Sequence, residues 1–221
     1  MQRQNFSAHY PASLYDSFSE RFLNVYDNWV IRRLMQRFRE TSPGAVLLDI
    51  GTGTGRLLCK IAHQSFFQQL HIVGLDYFGE MIDIVRQNVN SSGLGRRITI
   101  LQADVHNLPF SSRRVRFIFS RSTLHHWIDP IKALGEIHRV LEPQGVALIY
   151  EINRAANIEA VAKFNEVRRM ADVEASRLEE KYTPEEVWQF VKESGLESEA
   201  ELVVPKMGLM SLGMELNIIK K

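Results

Sequence analysis

The chain has 221 residues, 45% of them hydrophobic and 24% charged, which matches an ordinary globular domain long enough to bury one large core. Its formal net charge of +1 provides no concentrated basic surface, and this argues against a nucleic-acid or anionic-membrane partner. The single cysteine, Cys59, excludes intramolecular disulfides and a cysteine-based zinc site, and no apolar run approaches the roughly 20 residues of a membrane-spanning helix.

These features lead us to expect a cytoplasmic protein without a metal centre. After a polar start, Phe18, Phe22, Val25 and Trp29 recur at helical spacing, and Ile31, Leu34, Met35 and Phe38 extend the apolar face until Ser42-Pro43-Gly44 breaks it. Residues 1–42 are therefore expected to form a helical cap. Residues 47–57 then read as a buried strand that ends in an acid-led glycine turn and opens a helix. Gly51, Gly53 and Gly55 remove Cβ atoms where backbone must approach a ligand, and the helix behind them aims unsatisfied N–H groups at it. The dinucleotide pattern G-x-G-x-x-G/A fails at Arg56, which is too bulky for its sixth position, and an anionic Asp49 suits a cationic ligand better than a pyrophosphate.

Further along, the strand at 72–76 ends in Asp76, 25 positions after Gly51, where a carboxylate can accept ribose hydroxyls. That spacing alone fits a dehydrogenase as well. Met81, Ile82, Val85 and Val89 form a helical face closed by Gly93, and a strand over 98–105 carries Asp104. The strand at 115–120 leads into Arg121-Ser122-Thr123-Leu124-His125-His126-Trp127. Ile131, Leu134, Ile137 and Leu141 form a helix that stops before Pro143-Gln144-Gly145, and a fifth strand spans 146–152. Residues 157–180 read as a charged helix serving as a substrate-side lid. Thr183-Pro184-Glu185-Glu186 is a capping box whose helix ends at Gly195, and two short strands follow near 199–204 and 214–219. Alternating strands and helices imply an α/β fold, a parallel sheet covered on both faces. Arg96, Arg97, Arg113, Arg114 and Arg116 read as solvated loop charges near the cofactor edge, placed to meet an acidic substrate.

The order Asp49-x-Gly51-x-Gly53-x-Gly55, Asp76, Asp104 and then the segment from Arg121 to Trp127 resembles the class I S-adenosylmethionine-dependent methyltransferases. Tyr15-Asp16-Ser17-Phe18 followed by Tyr26-Asp27 is similar to the opening of their type-11 and quinone-methylating small-molecule branch. Covering residues 45–221, the resemblance implies a Rossmann-like, seven-stranded, mostly parallel sheet with a C-terminal antiparallel strand. It implies one methyltransferase domain over 1–221, with a cofactor half at 43–153 and a lid helix and substrate-side half at 154–221. S-adenosyl-L-methionine is the implied cofactor: Asp49 near its methionine ammonium, the three glycines under its adenosyl part, Asp76 on the ribose and Asp104 near the adenine. Thr52, Tyr77, Val105, Ser120 and Tyr15 complete the implied cofactor set. Residues 121–127 lack the characteristic sequence of the quinone enzymes, so a quinone acceptor does not follow.

Methyl transfer from a sulfonium is a direct displacement, which requires alignment and exclusion of water rather than a covalent enzyme nucleophile. A phenol, alcohol or activated carbon benefits from a general base; an amine or thiol can react without one. His125 and His126 are the candidate bases, because imidazole titrates near neutral pH and their segment borders the expected methyl-transfer site. Glu151, at the end of the fifth strand, joins them at the functional edge. Each has a structural alternative: a histidine bonded to a backbone carbonyl, a glutamate bonded to a neighbouring loop. Tyr10, Tyr15 and Tyr26 can stack on cofactor or acceptor or belong to the core, and Trp127 can line an aromatic acceptor pocket or pack a helix start. The expected activity is methylation of an O, N or C atom of a small-molecule acceptor. RNA modification lacks a basic stripe and an Asn-Pro-Pro-Tyr motif, and stands as an alternative beside a non-catalytic cofactor-binding regulatory subunit; a nicotinamide dehydrogenase ranks third. The oligomeric state is left open, a homodimer included.

Overall fold

Short runs rich in Val, Ile, Leu and Phe pair side by side in a computed structural model that describes residues 11–38, 42–206 and 209–221. Tyr10 and the side chains of Phe22 and Val25 lie outside the described residues. Five strands are parallel: β1 (Val46–Ile50), β2 (His71–Asp76), β3 (Ile98–Gln102), β4 (Val115–Arg121) and β5 (Leu141–Ile152). Two more, β6 (Ala200–Val203) and β7 (Gly213–Ile219), complete a sheet of order β3-β2-β1-β4-β5-β7-β6, with β7 antiparallel to both of its neighbours.

Alternate residues of a strand point to opposite faces, and both faces are buried. Leu47, Ile72, Phe117 and Leu148 pack on one side with α2 (Asn24–Arg37), α3 (Arg56–Ala62) and α4 (Gly79–Ser91). Leu48, Val73, Ile118 and Ala147 pack on the other with α5 (Pro130–Val140) and α7 (Pro184–Glu193). The α7 start is the expected capping box, with the Thr183 and Glu186 side chains exchanging bonds with each other's backbone N–H. A smaller cluster joins α1 (Ala12–Phe22) to α6 (Ile158–Met170) through Phe18, Leu23, Val173 and Phe164.

Several local expectations need correction. The cap is two helices, interrupted at Leu23. Pro143-Gln144-Gly145 does not separate helix from strand; it lies in the irregular start of β5, with Gln144 at φ 61°. The helix expected over 157–180 stops at Met170, because Asp172 turns the chain into the left-handed region (φ 56°) and Val173 is drawn into the core, leaving a 3-10 turn at Leu178–Glu180. Asp104 and Val105 sit beyond the end of β3, on the loop it feeds. The arginines at 96, 97, 113, 114 and 116 lie at the start of β3 and β4, the end of the sheet opposite the glycine loop. There Arg97 Nη2 donates to Phe67 O at 3.2 Å and Arg116 Nη1 to Pro143 O at 3.0 Å, so these two staple loops, while Arg96, Arg113 and Arg114 are exposed charges, far from the glycine loop.

Two carboxylates fasten the cap. Asp16 accepts Arg56 in a two-pronged pair at 2.9 and 2.7 Å and Asn88 Nδ2 at 2.9 Å, binding α1 to α3 and α4. Fully buried Asp27 accepts Lys60 Nζ at 2.5 Å and Arg121 Nη1, binding α2 to α3 and to the end of β4. No helix among the described residues is long and apolar enough to cross a membrane.

The insertion of β7 depends on Gly213. A Cβ there would lie 2.0 Å from Tyr150 Oη and 2.7 Å from Glu151 O, on a β5 that is buried from Gly145 to Ile152. Gly213→Ala is expected to cost about 1–3 kcal/mol or more through overpacking, read as a lower urea midpoint with an unchanged slope.

Candidate active site

The strand order reverses between β1 and β4, and the loops leaving their C-terminal ends part there to leave a crevice. The β1 loop is held open by positive φ at Gly51 (72°), Gly53 (57°) and Gly55 (75°). Gly51 N and Thr52 N donate to Leu75 O at 2.8 and 2.9 Å, and Gly53 N donates to Asp76 Oδ2 at 2.8 Å. A Cβ on Gly51 would come 2.3 Å from Thr123 Cγ2, so only glycine lets the β1 and β4 loops close together. Gly55 serves differently: it is the left-handed N-cap of α3 and packs against Val85, away from the crevice.

The first of two adjoining clefts spans about 740 Å³, its solvent-open mouth included. Asp76 and Asp104 supply its acidic wall, and Phe78, Met81, Val105 and Trp127 supply its apolar one. Burial raises the Asp76 carboxyl above the ordinary range, against the pull of the N–H groups of Phe78, Gly53 and Tyr77. Half-exposed Tyr77 stands on the rim. Asp104 Oδ1 accepts His106 N at 2.9 Å and lies 2.5 Å from His106 Nδ1, while His106 Nε2 accepts Asp129 N at 3.1 Å. That acceptor role at Nε2 puts the ring proton on Nδ1, facing the carboxylate. His106 was not a sequence candidate; its only signal is its place two residues after an aspartate, where an Asx turn forms.

Asp49 and Thr52 line a narrow polar notch beneath the glycine loop, with Arg56 and Arg121. Burial pushes the Asp49 carboxyl up to about 7, opposed by the Thr52 hydroxyl and the Arg121 charge. Tyr15, from α1, lines both this notch and the two clefts.

The second cleft, about 910 Å³, lies under α1 and α6 and is walled by Phe18, Tyr26 and Phe164. It shares Tyr15, Arg121, Ser122 and His126 with the first, so the two communicate through those residues. His125 lines this cleft, and its Nδ1 lies 2.8 Å from Glu151 Oε2. The same oxygen accepts His125 N at 3.1 Å, and Oε1 accepts Ile152 N at 2.7 Å. Glu151 is 1% exposed, so it does not stand at the open edge that its strand position suggested; it sits behind His125. Burial alone would raise its carboxyl, but the adjoining His125 ring and the Lys181 charge bring it below the ordinary range.

Two further sequence expectations part from the structure. Ser120 lines neither cleft: its Oγ donates to Ile50 O at 2.8 Å and lies 2.5 Å from Thr123 Oγ1, a latch between β1 and the β4 loop. Trp127 lines the first cleft rather than an acceptor pocket.

A family profile described as a methyltransferase domain, type 11, matches residues 48–149. A ubiquinone/menaquinone biosynthesis C-methyltransferase from Geotalea uraniireducens is 30% identical over 144 residues, 62% of this chain and 61% of its own length. Probable tRNA methyltransferase 9B of Homo sapiens is 35% identical over 121 residues, 53% of this chain and 24% of its own length. Among solved structures, a Methanococcus maripaludis protein assigned as an S-adenosyl-L-methionine-dependent methyltransferase superposes with a TM-score of 0.74 at 25% identity, covering 100% of this chain and 97% of its own. This chain carries a class I S-adenosylmethionine-dependent methyltransferase domain of the type-11 branch. It spans about 61% of the length of the first curated relative.

The residues of this methyltransferase domain fit S-adenosylmethionine. Gly53 leaves open room that a Cβ would fill, a buried carboxylate at Asp49 suits a cationic amine, and an apolar wall beside two acids suits an adenosine. The raised Asp49 carboxyl gives the prediction its sign. Above about pH 7 the folded chain without ligand holds a buried charge, a cost relieved as the pH falls through 7 toward the unfolded value of 3.8. Asp49→Asn is therefore expected to raise the melting temperature of the ligand-free protein at pH 8, with the gain shrinking toward pH 5. The wild type should bind S-adenosylhomocysteine more tightly at pH 7.5 than at pH 6, and the variant should bind weakly at both, as read by calorimetry.

Proposed function

We propose that the protein transfers the methyl group of S-adenosylmethionine to an oxygen, nitrogen or carbon atom of a small-molecule acceptor held in the second cleft. The observation that carries this reading is the meeting of the two clefts at Tyr15, Arg121, Ser122 and His126, with the His125–Glu151 pair on the acceptor side. A ring-walled compartment roofed by helices suits a small planar molecule better than a polynucleotide. When bound, S-adenosylmethionine supplies an electrophilic methyl carbon.

The chain's own residues do the rest. Glu151 fixes the proton of His125 on Nδ1, which leaves Nε2 as the lone pair able to take a proton from an acceptor hydroxyl or activated carbon. As the imidazole gains that proton, the buried carboxylate behind it stabilises the new charge, the arrangement found in hydrolytic triads. His126, at the junction of the clefts, shapes the path between them. Tyr15 and the cap helices shut out water.

RNA methylation is the second reading, supported by the similarity to probable tRNA methyltransferase 9B. Tritiated methyl transfer from S-adenosylmethionine to a panel of phenols, amines and activated carbon acids, run beside bulk tRNA, separates the two. Label in small molecules alone is expected; label in tRNA alone would sink the small-molecule reading. On a hydroxyl acceptor, His125→Asn and Glu151→Gln should each lower kcat by about 10²–10⁴. Affinity for S-adenosylhomocysteine should stay unchanged in both.

A further inference from the structure

We infer that Lys181 anchors a carboxylate on an aromatic acceptor, which makes it a specificity-determining residue of the second cleft. The inference rests on the small-molecule reading above. Lys181 lines this cleft yet is only 8% exposed. Its backbone is pinned at both ends: Lys181 N donates to Leu178 O at 2.9 Å, and its carbonyl accepts Arg154 Nη1 at 3.0 Å. Its ammonium makes no hydrogen bond or ion pair with any described residue. An ammonium on a largely buried stem, facing the cleft and bonded to no described residue, is placed to close a bond to an arriving anion. Burial lowers its pKa below that of an ordinary lysine, against the field of Glu151 and Glu180, so an arriving anion would hold it in its charged form.

The surrounding charges narrow the ligand. Among the charged side chains lining the cleft, Glu174 and Glu180 are engaged by Arg177 and Arg121 is held by Asp27, whereas the Lys181 ammonium has no such pairing among the described residues. A single ammonium of this kind complements a monoanionic carboxylate better than a dianionic phosphate. The aromatic requirement comes from the walls. The Arg168 guanidinium lies 5.5 Å from the Phe18 ring and 5.6 Å from the Phe164 ring, and Tyr26 closes the opposite side. A flat ring between these side chains would turn its carboxylate toward Lys181 and its reactive edge toward His125 and the first cleft.

The test is calorimetric titration of the full chain, saturated with S-adenosylhomocysteine, using benzoate and 2-naphthoate against benzamide and 2-naphthamide. The wild type is expected to bind the carboxylates at least ten-fold more tightly than the amides. Lys181→Met should abolish that preference with unchanged S-adenosylhomocysteine affinity, and Lys181→Arg should retain part of it. Equal binding of acid and amide by the wild type, or a preference that survives Lys181→Met, overturns the proposal. A second readout needs no variant: the side-chain carbon-13 signal of Lys181 in lysine-labelled protein should move with 2-naphthoate and not with 2-naphthamide, and an unmoved signal overturns it equally. Small-molecule methylation without any carboxylate preference would remove this anchor alone. A Lys181-dependent preference in a protein that methylates only tRNA would support the anion site and remove the acceptor reading beneath it.

Discussion

The arrangement depends first on a topological constraint: β1 and β4 lie side by side while the chain leaves them for opposite faces of the sheet. Parallel neighbours whose connections diverge cannot fill the space above their own ends, and the glycine loop, the Asp76 turn and the segment after β4 border that gap. The closeness of the two loops is set by the missing Cβ of Gly51 against Thr123, and Ser120 secures Thr123 from below. A serine buried in the sheet thus governs the width of a crevice it never touches.

A second theme is the use of carboxylates, Asp27 and Glu151 among them fully buried, as fixtures. Asp16 and Asp27 hold the cap, Glu151 holds a histidine and Asp104 holds another. Each is satisfied by named donors, which is the condition under which burying charge is tolerable and under which it fixes geometry. Asp49 differs: burial outweighs its partners, and the domain without ligand carries an acid that favours its neutral form. Strain of that kind, relieved by a cation, is how a folded chain couples its own stability to a bound molecule.

The sequence revealed the fold through periodicity and punctuation. Apolar runs at Leu47, Ile72, Ile98, Val115 and Val146, separated by helical faces, leave a parallel sheet as the one consistent solution, and the Thr183 capping box announces α7 outright. What escaped depends on contacts between distant segments. The break at Asp172 follows from Val173 finding a core around Phe18, more than 150 positions earlier. The position of Glu151 behind His125 depends on how β5 registers against β4, and no spacing rule states that register. Gly55, the last glycine of its motif, and Ser120, at the end of β4, are both cofactor candidates by sequence, whereas in the fold Ser120 faces the sheet interior and Gly55 a neighbouring helix. Lys181 follows a run of glutamates and gave no sign of burial, since the turn that tucks it in appears only with the tertiary fold.

Tyr15 borders every one of these cavities, and it rides on a helix tied down chiefly by the Asp16–Arg56 pair. The two clefts and the notch therefore have a common door. A displacement of α1 would open all three at once, so under the proposed reaction neither cleft could be emptied without exposing the other to water.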